Sequence, residues 1–415
     1  MVRKIRQSKN LVLGWSTVLL LVFFVISGLP NAQAAEKEIV FAYQDGFSGP
    51  FAAPVKLAHL GILMYLEETG NKLGPFKVKL ITRDTELNPQ VGVRRLQEVI
   101  ASENPLIIFS GASSAVQLAM IDVIGKAKYP IFWTTGWDTR LTGEKGNRYS
   151  FRWQSPNYTI VRSGLAAFLD ANPKIKKVIA SSMDYAWGHE CADQMKVILK
   201  ERNVELLKIQ WIPVSATDVS PFIIEAKASG ADAYVQLQYG NLFPISAKQI
   251  LEFGLGKMMK IFTTTASQDA LAGIGCEALE GMYLTNHWAH VMPNEWSQKF
   301  VAKFKKRWNQ TPNESSASHY LQCQLLAKVL SQTGKADPKV LIPALENIGE
   351  YEGPCGKERM SGWNHQIEHP YLLLRGKPCS QVKEGDDFLE VATSKSIYPK
   401  QGDKGFEFDR RKESL

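Results

Sequence analysis

The chain of 415 residues is 45% hydrophobic and 22% charged, with 31 glycines and 20 prolines, and its mean hydropathy is -0.17. That balance excludes a collagenous or low-complexity chain and a polytopic membrane protein, and the length accommodates two or three domains. Arg3, Lys4, Arg6 and Lys9 supply half of the net charge of +8; no long basic run comes after them, so charge gives nucleic-acid binding no support.

The basic stretch Met1–Asn10 precedes an apolar run, Leu11–Leu29, and then Pro30-Asn-Ala32-Gln-Ala34. These are the n-region, h-region and A-x-A site of a secretory signal peptide. A run of about 19 residues is long enough to anchor the chain uncleaved. Gly14, Ser16, Thr17, Ser27 and Gly28 dilute it, however, and cleavage is expected after Ala34. No cysteine closes the h-region, which argues against a lipoprotein. The mature chain is expected in an oxidising compartment.

Short apolar runs then alternate with amphipathic stretches. The pattern predicts strand 38–43, helix 54–68, strand 76–83, helix 89–101, strand 106–110, helix 114–126 and strand 131–135. Such an order implies a parallel sheet with helices on both faces. It begins again with helix 157–171, strand 177–182, helix 187–202, strand 205–212, helix 220–229, strand 233–238, helix 243–253 and strand 260–265. Strand 281–286 leads into helices 295–308, 314–331 and 338–348, and a strand-like piece returns at 371–375. The fold class is α/β, with two doubly wound units in series.

In such sheets a ligand sits just beyond the carboxyl ends of the strands. Those ends carry Gln44–Pro50 (QDGFSGP), Gly111–Ser114 (GASS), Thr134–Asp138 (TTGWD), Met183–Gly188 (MDYAWG), Tyr239–Pro244 (YGNLFP) and Thr263–Asp269 (TTTASQD). Glycine and small hydroxyls let backbone N–H groups approach an anion, and large aromatics wall off the rest of a small organic ligand. Taken singly, each Ser or Thr reads equally well as a helix cap. Their recurrence at corresponding strand ends favours a shared cleft.

Other motifs weigh less. His365–His369 (HQIEH) matches the H-x-x-E-H pattern, which needs both histidines on one helix. Pro370 and the adjoining Tyr371–Leu374 read as extended chain, where positions i and i+4 lie about 13 Å apart, too far for one metal ion. His287 and His290 read as partly exposed loop residues. No nucleophile elbow, G-x-G-x-x-G or Walker A motif occurs, so no catalytic constellation, cofactor or metal is indicated.

Five cysteines leave at least one unpaired, and none forms a C-x-x-C motif. Cys191 and Cys323 lie in helical patterns as small core residues. Cys355 and Cys379 bracket a turn-rich stretch, Met360–Asn364, and the strand Tyr371–Arg375, and are the expected disulfide pair.

The loops Ser48–Pro50, Gly111–Ser114, Thr134–Leu141, Tyr149–Ser155, Asp184–Gly188 and Tyr239–Pro244, in this order and spacing, resemble the leucine/isoleucine/valine-binding-protein family, the type I periplasmic solute-binding proteins of ABC importers. The resemblance covers nearly all of the mature chain. It implies two Rossmann-like lobes joined by a three-strand hinge, closing like a flytrap on a small ligand. It also implies a periplasmic location, ABC importer permease subunits as partners, a monomer or weak dimer, and no enzyme activity. Lobe 1 is expected at 35–153 plus about 286–348, and lobe 2 at 154–285 plus about 349–398. A charged C-terminal tail is expected at 399–415.

Carried over by position, Ser113, Ser114, Gly136 and Trp137 resemble the site for a ligand carboxylate. Trp187 stands where the family has a ligand-touching tyrosine, Tyr239 and Asn241 belong to a loop facing the cleft, and Phe47 and Ser48 lie at the first strand end. Two departures stand out. The acid that holds an α-ammonium in amino-acid binders aligns near Ala266, and the aromatic usual after Ser-Gly-Pro aligns with the region of Pro54. With Phe47, Phe51, Trp133, Trp137, Trp187 and Tyr239 at strand ends, and Trp133 expected to face the core, a small carboxylate without an α-amino group is expected, an aromatic acid foremost. The other readings are an amino-acid binder of the same family, a periplasmic ligand sensor and a hydrolase.

Overall fold

The computed structural model describes residues 37–264, 268–383 and 386–415; the expected signal peptide and Ala266 lie outside them. The chain opens with β1 (Lys37–Asp45), α1 (Ala52–Glu68), a short β2 (Lys72–Leu73), β3 (Phe76–Asp84), α2 (Pro89–Glu103), β4 (Ile107–Ser110), α3 (Ser114–Ala127), β5 (Ile131–Trp133) and β6 (Ser150–Arg152). Every residue of β4, β5 and β6 is buried, as expected of strands covered on both faces. Helix α2 starts where the sequence signals it: Asn88 Oδ1 accepts from the backbone N–H of Gln90 at 2.9 Å and Val91 at 3.1 Å, and Pro89 opens the first turn.

The second unit runs through α4 (Asn157–Ala171), β7 (Lys177–Met183), α5 (Ala186–Glu201), β8 (Glu205–Ile212), α6 (Ser220–Ala228), β9 (Ala233–Leu237), α7 (Leu242–Glu252), β10 (Lys260–Thr263), α8 (Gln268–Ile274), α9 (Cys276–Leu279) and β11 (Tyr283–Asn286). The chain continues with α10 (Glu295–Trp308), α11 (Glu314–Thr333), α12 (Pro338–Glu346), β12 (Glu350–Gly353), β13 (Gly356–Ser361), β14 (Gln366–Glu368), β15 (Leu372–Gly376) and β16 (Leu389–Ser394).

Two sheets result. The first has the order β12-β13-β14-β6-β5-β4-β1-β3-β2, and the second β16-β15-β11-β10-β9-β7-β8. Parallel ladders join β1, β4, β5 and β6 in one, and β8, β7, β9, β10 and β11 in the other. This is the two-lobed doubly wound architecture that the sequence implies. The chain passes between the sheets after β6, after β11 and between β14 and β15. The three crossings meet: Ser155 Oγ lies 3.4 Å from His369 Nε2, and the His369 and His287 rings are 4.9 Å apart.

The lobe boundaries differ from expectation in one segment. Residues 350–368, placed with lobe 2 from the sequence, extend the sheet of lobe 1, because β14 pairs in parallel with β6 (Gln366 beside Arg152) and β13 pairs with β14. Only β15 and β16 join lobe 2. The charged tail expected at 399–415 packs against the rest of the protein. Phe406 and Arg410 are buried, and Arg410 donates from Nη2 to the Gly143 carbonyl at 2.5 Å.

The disulfide also differs. Cys379 pairs with Cys276, their Cα atoms 5.4 Å apart, and both lie in lobe 2. Cys355 is free and buried with Trp288, Phe300 and Phe304 of lobe 1. The expected Cys355–Cys379 pair would have had to span the lobes, because the segment between these cysteines is a crossing. Cys191 and Cys323 are buried core thiols, as read from their helical spacing. His287 and His290, expected partly exposed, are buried.

Candidate functional site

In both sheets the strand order reverses at one central strand: β1 lies between β3 and β4, and β7 between β8 and β9. The loops at the carboxyl ends of these strands therefore open into the crevice. Phe51 and Trp137 come from lobe 1, and Tyr185, Trp187 and Tyr239 from lobe 2. Ring centroids lie 4.6 Å apart for Trp137 and Tyr239, 5.6 Å for Phe51 and Tyr239, 6.0 Å for Tyr185 and Trp187, 6.2 Å for Trp137 and Trp187, and 6.3 Å for Phe51 and Tyr185. Aromatic pairs at such spacings attract beyond their buried area, so this cage joins the lobes. The Trp187 indole N–H is buried and has no hydrogen-bond partner within the protein.

The cage rests on a braced loop. Arg152, wholly buried, donates from Nη1 to the carbonyls of Gly136 at 3.0 Å and Asp138 at 2.5 Å, from Nε to Gln366 Oε1 at 2.6 Å, and from Nη2 to Thr142 Oγ1 at 2.5 Å. These bonds fix the backbone on both sides of Trp137. Burial pulls the guanidinium down to about 9, which leaves it cationic at neutral pH. Beside the cage, Thr139 Oγ1 of lobe 1 donates to Glu190 Oε1 of lobe 2 at 2.6 Å. Burial, then the charge of Asp138, push Glu190 up to about 8. At the foot of the first loop Asp45 accepts from Tyr43 Oη at 2.9 Å and from the Gly46 N–H at 2.7 Å; burial raises it to about 7.

Phe47 meets the Tyr43 and His59 rings edge-on, at 5.3 and 5.6 Å, and also packs, partly buried, against the apolar cluster that holds Phe51, Trp137, Trp187 and Tyr239. Ser48 is exposed at the loop tip. The aromatic that faces lobe 2 is Phe51, directly after Pro50, rather than anything near Pro54. Ser113 caps α3, its Oγ accepting from the Val116 N–H at 3.4 Å, and Ser114 opens that helix; both are buried. Gly111 has no room for a side chain, since a Cβ there would lie 2.1 Å from Thr135 Oγ1 and 2.8 Å from Asp45 Oδ2. Gly136 is as tightly held, with a Cβ position 2.8 Å from Gln117 Nε2 and Trp133 Cβ.

Trp133 points into the core of lobe 1, as expected of a strand residue. Asn241 is exposed at the start of α7. Trp137, Trp187 and Tyr239 thus converge, Ser113, Ser114 and Gly136 are buried in the strand-end loops of lobe 1, and Ser48 and Asn241 are exposed. Tyr185, Thr139 and Glu190 were not among the residues expected at the site; Tyr185 and Thr139 fall within strand-end loops singled out from the sequence, whereas for Glu190, three residues after Trp187, that proximity was the signal.

Among the described residues no group of three or more His, Cys, Asp or Glu side chains is placed to hold a metal ion. The two histidines of His365–His369 diverge: His365 stacks on Phe151 at 4.0 Å and its Nε2 lies 3.0 Å from Glu346 Oε1, whereas His369 turns to the crossings.

Comparisons with known proteins agree with this architecture. The chain is 24% identical over 385 residues to Leu/Ile/Val-binding protein homolog 6 of Brucella melitensis, covering 90% of this chain and 95% of the relative. An amino acid ABC transporter substrate-binding protein from Pseudomonas fluorescens Pf-5 superposes with a TM-score of 0.83 at 24% identity, over 89% of this chain and 99% of the other. A solute-binding protein of an ABC transporter from Rhodopseudomonas palustris BisB5, solved in complex with 3,4-dihydroxybenzoic acid, superposes with a TM-score of 0.78 at 22% identity, over 86% and 97%. A family model described as periplasmic binding protein matches residues 38–385. The chain belongs to the periplasmic binding protein family, the substrate-binding components of ABC transporters.

Proposed function

We propose that this protein captures a small aromatic carboxylate between its lobes in the periplasm and hands it to the permease of an ABC importer. The observation that carries the reading is the interlobe cage of Phe51, Trp137, Tyr185, Trp187 and Tyr239. Five rings from two lobes suit a flat ligand better than a short aliphatic side chain. The Trp187 indole N–H, buried and unpartnered within the protein, supplies a donor for a carboxylate. The solved neighbour that holds 3,4-dihydroxybenzoic acid supports the same chemistry, and the basic and apolar leader fits an exported protein.

Tryptophan fluorescence tests the reading directly, because Trp137 and Trp187 stand in the cage. Titration with benzoate and 4-hydroxybenzoate is expected to give micromolar or tighter binding, about -8 kcal/mol. Micromolar leucine binding without any response to the aromatic acids would sink it. That outcome would favour the second reading, an aliphatic amino-acid binder, which the names of the Brucella and Pseudomonas relatives support. Turnover of a bound ligand would point to a hydrolase, and a membrane sensor in place of a permease to a signalling receptor.

Trp187→Ala is expected to weaken binding of the aromatic acid by about 1–3 kcal/mol, the worth of one large ring in a closed site, with the circular dichroism unchanged. Affinity within twofold of the parent protein would remove Trp187 from the site.

A further inference from the structure

The part of the chain that matches the family model ends at residue 385, before β16. The remaining residues make a fourth connection between the lobes. Strand β16 is a lobe 2 strand, hydrogen-bonded to β15 from Leu389 beside Gly376 to Ser394 beside Leu372. Beyond it, the Lys395 N–H donates to the Tyr371 carbonyl at 2.9 Å and the Ile397 N–H to Ser163 Oγ of α4 at 2.8 Å. Tyr398 then reaches the third crossing, where its Oη accepts from the His369 N–H at 2.9 Å and donates to the His369 carbonyl at 2.7 Å.

From that point the chain leaves lobe 2 and anchors in lobe 1. Arg410 is the anchor. Its N–H donates to the Trp363 carbonyl at 2.8 Å, its Nη2 to the Gly143 carbonyl at 2.5 Å, and its guanidinium lies 3.7 Å from the centre of the Phe408 ring. Arg148, in the lead-in to β6, donates from Nη1 to the Glu413 carbonyl at 2.6 Å. Between the two ends, Phe406 touches both lobes at once: its ring centre is 6.1 Å from Tyr158 at the start of α4 and 6.1 Å from Trp363 in the β13–β14 turn. Asp403 adds a bond from Tyr158 Oη at 3.4 Å.

The position of these contacts gives the strap a direction of action. Gly143 ends the turn that carries Thr139, the residue that bonds Glu190 across the cleft, and Thr139 Oγ1 also accepts from the Tyr158 N–H at 3.0 Å. The lobe 1 anchor, the cross-cleft bond and the Phe406 contact therefore lie along one flank of the closed cleft. A rotation that parts Trp137 from Trp187 must break the double contact of Phe406 or draw Arg410 from its buried site.

We propose that residues 399–415 form a strap that holds the two lobes toward the closed arrangement and slows ligand release. The strap acts on populations: contacts made only when the lobes are together favour that state with or without ligand. The inference rests on the reading of the cleft as a hinged binding site, but its first test needs no ligand.

Small-angle scattering of the ligand-free mature chain is compared with Phe406→Ala, with Arg410→Ala and with a chain ending at Pro399. The strap predicts a larger radius of gyration for all three variants. It also predicts benzoate release faster by about tenfold in stopped flow, the factor that about 1.4 kcal/mol of closed-state preference supplies. Identical radii overturn the proposal. So does a lower melting temperature of Phe406→Ala with an unchanged radius, since 399–415 would then be only a structural part of lobe 1. If the shortened chain does not fold, the two point variants decide. Absence of benzoate binding to the parent protein counts against the ligand reading alone and leaves the scattering comparison intact.

Discussion

Replacing Cys276 and Cys379 together by serine is expected to lower stability by up to about 4–5 kcal/mol, the entropy that cross-linking a loop of about 100 residues removes from the unfolded chain. The bridge closes a loop with a sequence separation of 103 and ties α9, which precedes β11, to the exit of β15. Those two strands pair with each other in antiparallel fashion, Tyr283 beside Arg375, so the bridge fastens the end of a ladder already present. Denaturant unfolding of the double variant measures the loss. An unchanged midpoint, or peptide mapping that finds Cys379 joined to Cys355, would refute the pairing.

Gly240→Ala is expected to impair closure while the lobes stay folded. Gly240 has φ 64°, and a Cβ there would lie 2.7 Å from the Phe51 ring and 3.2 Å from the Pro50 carbonyl, both in the opposite lobe. The left-handed backbone alone costs an alanine about 1–2 kcal/mol. The collision is a separate effect, because it arises only when the lobes meet. Gly230 provides the control: it has φ 69° and nothing within 4 Å of its Cβ position. Both alanine variants should lose similar stability, but only Gly240→Ala should weaken ligand binding, by tenfold or more, about 1.4 kcal/mol. Equal affinities for the two variants would show that the Phe51–Gly240 approach plays no part in closure.

The doubly wound core was legible because its strands are buried on both faces and so read as apolar runs of the right length, as in Ile107–Ser110 and Ala233–Leu237. Strands β12 and β13 were not legible, because Glu350–Gly353 and Gly356–Ser361 are edge or near-edge strands rich in charge, and β14 has only three residues. Without them the lobe boundary shifts and the wrong cysteine pair suggests itself. At the candidate site, Trp137, Trp187 and Tyr239, singled out by their strand-end loops and by position in the resembled family, do lie together. Phe47 and Phe51 stand four residues apart in one loop, and nothing in the sequence says which turns inward to Tyr43 and which faces the other lobe. The polar bridge between Thr139 and Glu190 depends on how the lobes meet, which no local pattern encodes.

The pairing of β14 with β6 also constrains the order in which the molecule can be completed. Gln366 and Arg152 are 214 positions apart, and all of lobe 2 up to β11 is synthesised between them. While the chain emerges from its amino terminus, β6 is therefore an unpaired edge, and the buried guanidinium of Arg152 lacks its Gln366 acceptor. An exposed edge strand presents unpaired backbone N–H and C=O groups and is prone to pairing with another chain, and contacts so distant in sequence form late. Lobe 2 up to β11 can begin to assemble while lobe 1, the first to be made, still waits for its last strands. Newly made chains are thus most vulnerable to association after lobe 1 has collapsed and before residue 368 is released, and a binder that shields this edge would help them most during that interval.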